Sequence, residues 1–181
     1  MTYEVLSSTP RFTGSVIRVE TDVVRMPDGE EAERDVVRHP GAVGVAAVDD
    51  ELRVLLIKQY RHALRSAIWE LPAGIRDVDG EPPERTAARE LHEETGWAAG
   101  TLTHLLTVHP TPGGSDERYE VFLGRDVREE ADRPEVMGEE LDLEVRWLPL
   151  AEAVAWVLDG RITNGMCVAG VLAAARVLDV R

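Results

Sequence analysis

Residues 74–97 read GIRDVDGEPPERTAARELHEETGW and constrain the chain more than any other stretch. Pro82 and Pro83 fit a first helical turn, where a missing amide N–H costs nothing. Gly96 fits the position just past a helix end, where the backbone turns left-handed. Between them the pattern predicts about three turns of helix over ERTAARELHEET. Ala87, Ala88 and Leu91 are the residues expected to turn inward. At 100° per residue, Glu90 and Glu94 stand one above the other with Glu93 beside them.

Three carboxylates so placed repel one another by a few tenths of a kcal/mol per pair on an exposed helix, and by more where they are partly buried. Two readings follow. A hard divalent cation such as Mg²⁺ or Mn²⁺ compensates the charge, because carboxylate oxygens are its preferred ligands. Otherwise the run is a solvated acidic face.

The chain has 181 residues and a net charge of −14. That length predicts one domain with room for a small extension. The charge disfavours nucleic acid and anionic membrane as general partners, so a phosphate ester would need a local basic pocket. The single cysteine, Cys167, excludes an internal disulfide and lies in an apolar run, which predicts a buried thiol. The five histidines form no ligand pair, and none is assigned to metal. The first residues show no basic segment leading into an apolar one, which predicts a cytoplasmic protein. The apolar run Met166–Ala175 is too short to span a bilayer.

Period-2 alternation predicts strands over 3–6, 14–26 and 33–38, with a turn at Pro27-Asp28-Gly29. These form a β-rich arm over residues 1–40, followed by a core domain over 41–181. GAVGVAAV (41–48) and LRVLLIKQ (52–59) read as central strands buried on both faces, with Asp49-Asp50-Glu51 as the turn between them. Further strands are expected at 101–108, 118–124 and 143–147, and helices at 151–158 and 166–178. The segment 125–142 is polar and acidic, and reads as a long loop.

Two short segments flank the helix. Arg61, in Gln59-Tyr60-Arg61-His62, ends a buried strand, where a guanidinium can hold a pyrophosphate or stack on a purine. Glu70, in Trp69-Glu70-Leu71-Pro72-Ala73-Gly74, can accept from an amino or hydroxyl group. Alternatively, Arg61 forms a surface salt bridge and Glu70 meets solvent at a strand end.

The order Gly74, Glu81, Arg89, Glu90, Leu91, Glu93, Glu94, Gly96, Trp97 resembles the Nudix box of the Nudix hydrolases. Six residues, Ile75 to Gly80, separate Gly74 from Glu81, one more than the family pattern, and the extra one falls in a turn around Asp79-Gly80. The segments at 59–62 and 69–74 resemble the ADP-ribose pyrophosphatase branch, as do Pro112, the two C-terminal helices and the asparagine before the last one.

The resemblance implies an α/β (α+β) Nudix fold: a mixed β-sheet between helices, with an N-terminal antiparallel hairpin arm that dimerises, often by exchange. It implies Mg²⁺, with Mn²⁺ able to substitute, held by Glu90, Glu94 and the Ala73 carbonyl with Glu93 close by. It implies substrate contacts from Arg61, Glu70, Pro112 and Glu117, although Pro112 also reads as an ordinary loop proline and Glu117 as a solvated carboxylate. A general base is expected from the 125–142 loop, at Glu139 or, failing that, Glu140. Arg89 reads as structural, tying the helix to the loop of Glu81. The implied reaction converts ADP-ribose to AMP and ribose 5-phosphate. The alternatives are another nucleotide substrate, such as NADH or GDP-mannose, and a sensor that binds without cutting.

Overall fold

A computed structural model describes residues 3–131 and 142–180. The chain divides into two compact units, one of Met1–Gly41 with His109–Arg118, the other of Ala42–Val108 with Tyr119–Arg181.

The first unit is a three-stranded antiparallel sheet, in the order β1 (Glu4–Thr13), β2 (Arg18–Arg25), β3 (Glu31–Arg38). β1 is longer than the strand expected at 3–6, and it contains Pro10. Proline is tolerated there because β1 is an edge strand and its register shifts between Pro10 and Phe12. The 109–118 loop belongs to this unit. The Val37 amide donates to the Gly114 carbonyl at 2.8 Å, and the His39 amide donates to the Asp116 carboxylate at 2.9 Å.

The second unit is built around β4 (Ala42–Ala47), buried at every residue. β4 pairs antiparallel with β7 (Ala73–Ile75) and parallel with β9 (Tyr119–Glu129). β8 (Trp97–Val108) completes a mixed sheet in the order β7-β4-β9-β8. Alternate β4 residues serve opposite faces, as strand geometry requires. Val43, Val45 and Ala47 pack with Ala87 and Leu91 of α1 (Pro83–Thr95). Ala42 and Ala46 pack with Val171 and Ala174 of α3 (Gly165–Val177). The mixed sheet thus lies between helices.

A second sheet accompanies it, antiparallel in the order β10-β5-β6, from β10 (Glu144–Pro149), β5 (Arg53–Arg61) and β6 (Ser66–Glu70). β4 and β5 are therefore neighbours in sequence but members of different sheets, joined by a single bridge between Val48 and Val54. α2 (Leu150–Leu158) follows β10. The Asn164 side chain caps α3, accepting from the Cys167 amide at 2.9 Å. Cys167 is buried, and burial pushes its thiol up, with the Glu70 charge adding to this.

Three further expectations are corrected. Ala88 is exposed, and Thr86 takes the inward place beside Ala87. β9 continues to Glu129, five residues into the segment read as loop, because Val127 joins the apolar cluster of Trp97 and Ala99. β8 begins at Trp97, four residues before the expected start. Among the described residues, no helix is long and apolar enough to cross a membrane.

Candidate active site

The site is built where α1 crosses β7. Pro83 starts the helix, and Gly96 ends it at φ 76°, donating its amide to the His92 carbonyl at 2.8 Å. That fixes which side of the helix meets the sheet. Glu90 and Glu94, one turn apart, both face β7. A methyl group at Gly74 would overlap the Glu90 carboxyl, so this glycine is the seat of that glutamate. Glu94 is buried, and its Oε2 accepts the Ala73 amide at 2.8 Å.

Arg89 stands among acids. Its Nη1 is 2.8 Å from Glu90 and 2.9 Å from Glu93, and its Nη2 is 3.6 Å from both Asp77 and Glu81. The contact with Glu81 ties the helix to the preceding loop. Thr86 holds Glu81 from the other side, its hydroxyl donating at 2.9 Å. One cation thus meets four carboxylates. Burial works against the Arg89 charge, and Glu90, Glu93 and Glu81 together more than offset it. Burial also pushes the Glu90 carboxyl above its ordinary range; Arg89 opposes that and Glu93 adds to it. The Nε and Nη2 groups of Arg89 are buried without a hydrogen bond.

A divalent cation fits this donor set. The donors are hard oxygens in negative excess, and the two glutamates facing β7 are each positioned by its main chain. Among the described residues, no three His, Cys, Asp or Glu side chains converge into a metal cluster. The set implied by the resemblance, Glu90, Glu94 and the Ala73 carbonyl, contains two such side chains.

Arg61 and Glu70 meet each other. The Arg61 Nε and Nη2 donate to the two Glu70 oxygens at 2.8 and 2.7 Å, and the Glu70 side chain is only 3% exposed. This bidentate pair holds the guanidinium plane by a buried carboxylate. Pro112 and Glu117 lie in the loop of the first unit. There the Glu117 amide donates to Ser115 Oγ at 3.1 Å, and its carboxylate is 3.7 Å from His39. Glu139 and Glu140 lie outside the described residues.

Sequence reasoning passed over Thr86 and a pair formed by Arg76 and Glu120, 3.6 Å apart. The signal for Glu120 was an acid at an inward position of a strand, two residues before Phe122. Two cavities among the described residues, of about 390 Å³ in the first unit and about 240 Å³ in the second, are not lined by Glu90, Glu93 or Glu94.

The NUDIX domain family matches residues 38–165, which include this whole arrangement. The chain belongs to that family and is a hydrolase of it. It is 46% identical over 171 residues to an ADP-ribose pyrophosphatase of Mycobacterium tuberculosis, covering 94% of this chain and 82% of that protein. It is 40% identical over 146 residues to an ADP-ribose pyrophosphatase of Bacillus subtilis, covering 81% and 78%. A solved structure described as an ADP compounds hydrolase shares the fold at a TM-score of 0.83 and 20% identity, covering 99% of this chain and 95% of the other.

Proposed function

We propose that the chain hydrolyses the pyrophosphate bond of ADP-ribose, giving AMP and ribose 5-phosphate, with Mg²⁺ as cofactor and Mn²⁺ able to replace it. The observation that carries this is the acid excess around Arg89, seated on Gly74 and Ala73. The similarity to ADP-ribose pyrophosphatases over most of the chain supports the substrate.

Glu90, Glu94 and the Ala73 carbonyl hold the metal, with Glu93 close by. When bound, the divalent cation neutralises the diphosphate and acts as a Lewis acid on the phosphoryl group. Arg61, held by Glu70, binds the substrate, and Pro112 and Glu117 shape the sugar end. Glu139 takes the proton of the attacking water, with Glu140 the alternative. The arm of residues 1–40 pairs two chains into a homodimer, and the core over 41–181 carries the reaction, in the cytoplasm. The net charge of −14 argues against nucleic acid as a partner.

A substrate panel with Mg²⁺, its products read by mass, tests the reading. AMP and ribose 5-phosphate from ADP-ribose are expected. Turnover of NADH or GDP-mannose alone moves the substrate assignment, and binding of ADP-ribose without turnover makes the chain a sensor. For the base, Glu139→Gln should lose about 10²–10⁴-fold in rate. If Glu140→Gln loses it instead, the base is Glu140.

A further inference from the structure

Gly74 on β7, Val43 on β4 and Glu120 on β9 lie side by side in one row of the mixed sheet. Val43 packs in the α1 cluster, as does Phe122, two residues beyond Glu120. Glu120 therefore faces the same side of the sheet as α1 and its glutamates. The Arg76 guanidinium reaches Glu120 from the end of β7, across the intervening strand, roughly 10 Å away by strand spacing. Arg76 is two residues past the seat of Glu90 and one before Asp77, which lies 3.6 Å from Arg89.

The pair is loose on the arginine's side, while Glu120 is 8% exposed and fixed in the sheet. The closest approach is 3.6 Å, beyond a hydrogen bond, and the Arg76 Nε is buried with no partner. Arg89 on α1 already spends its Nη1 on Glu90 and Glu93, at 2.8 and 2.9 Å. A diphosphate brought to Glu90 and Glu94 carries more negative charge into an acidic site, and a guanidinium on this face would add to what the metal and Arg61 supply.

We propose that Arg76 is a substrate-binding residue that donates to the anionic oxygens of the diphosphate, and that Glu120 is the positioning residue holding its guanidinium on the α1 side of the sheet. This rests on the pyrophosphatase reading above. A planar guanidinium matches a phosphate through two parallel N–H donors, which a lysine cannot reproduce.

The test is steady-state kinetics on ADP-ribose with Mg²⁺, using the full chain. Arg76→Gln should lower kcat/KM by about 10²-fold, chiefly through KM. Arg76→Lys should recover part of that loss. Glu120→Gln should cost about tenfold alone and less than about twofold in the Arg76→Gln background, because the two act as one unit. A kcat/KM within about twofold of wild type for Arg76→Gln, or additive losses in the double variant, overturns the proposal. If Arg76→Gln does not fold, the KM of Arg76→Lys decides. If the wild type leaves ADP-ribose intact, the substrate reading fails, and calorimetry with inorganic pyrophosphate and Mg²⁺ decides this one. There Arg76→Gln should weaken the affinity at least about fivefold. An unchanged affinity, or none in the wild type, overturns it.

Discussion

Two arginines in this chain are each surrounded by acids, and they are used in opposite ways. Arg38, in the first unit, gives its Nε to Glu20 at 2.9 Å, one terminal nitrogen to Asp22 at 2.9 Å and the other to Asp116 at 3.5 Å. Every nitrogen has its own acceptor, and the acids come from β2 and from a distant loop. The Glu20 hydrogen bond leads in raising the Arg38 pKa, against the cost of burial. Arg89 has four acids around it, two of them on its own helix, yet its Nε and Nη2 donate to none. Matched donors and acceptors make a joint. Acids that outnumber the donors aimed at them hold negative charge in reserve for a second cation.

The contrast breaks first at Glu94. Glu94→Gln should cost about 10³-fold or more in turnover, several kcal/mol of barrier, with the far-ultraviolet circular dichroism unchanged. Metal-dependent activity near the wild-type rate would remove Glu94 from the ligand set. The next comparison is Gly74→Ala beside Arg38→Gln, read as the rise in Tm on adding Mg²⁺. A ligand at a hundred times its Kd stabilises by about 2.7 kcal/mol. Gly74→Ala should lose about 10–100-fold in Mg²⁺ affinity and much of that rise, because Glu90 is pushed off its seat. Arg38→Gln should lower Tm with the rise intact; if it abolishes the rise, the two clusters are not distinct in kind.

The smallest effect concerns pH. The raised Glu90 carboxyl favours the folded state fully below the unfolded carboxylate pKa, and that contribution is lost as pH rises through the higher folded value. In EDTA, Glu90→Gln should therefore melt a few degrees above wild type at neutral pH, with the gap closing near about pH 4. A lower Tm for Glu90→Gln at neutral pH would show that Glu90 is not strained without metal.

Helix α1 and its acids were legible because the fixed letters of 74–97 fall on helix-end chemistry and on one face. β1 was half legible, since Pro10 argues against a strand everywhere except at an edge. The tail of β9 was hidden because Arg125, Asp126, Arg128 and Glu129 read as loop, while Val127 alone carries its packing. Nothing in Asp49-Asp50-Glu51 reveals whether the strands it joins will pair or part into two sheets. At the site, Glu90 and Glu94 could be read from sequence, and so could the presence of Gly74. Its role as a seat could not, because that depends on how closely α1 approaches β7. The mutual clasp of Arg61 and Glu70 depends on how β5 and β6 pair, and the span from Arg76 to Glu120 is a long-range pairing; local pattern encodes neither.

The peptide joining Pro72 to Ala73 is held at both polar ends. Its carbonyl accepts the Val45 amide at 2.9 Å, and its N–H is given to Glu94 at 2.8 Å. The Ala73 proton is thus kept from solvent by a side chain of the acidic cluster, not by a ladder partner. In deuterated water it will exchange slowly while Glu94 holds it and faster once Glu94 is replaced or turns away. A single backbone amide thereby reports the state of the carboxylate cluster, with no substrate and no turnover required.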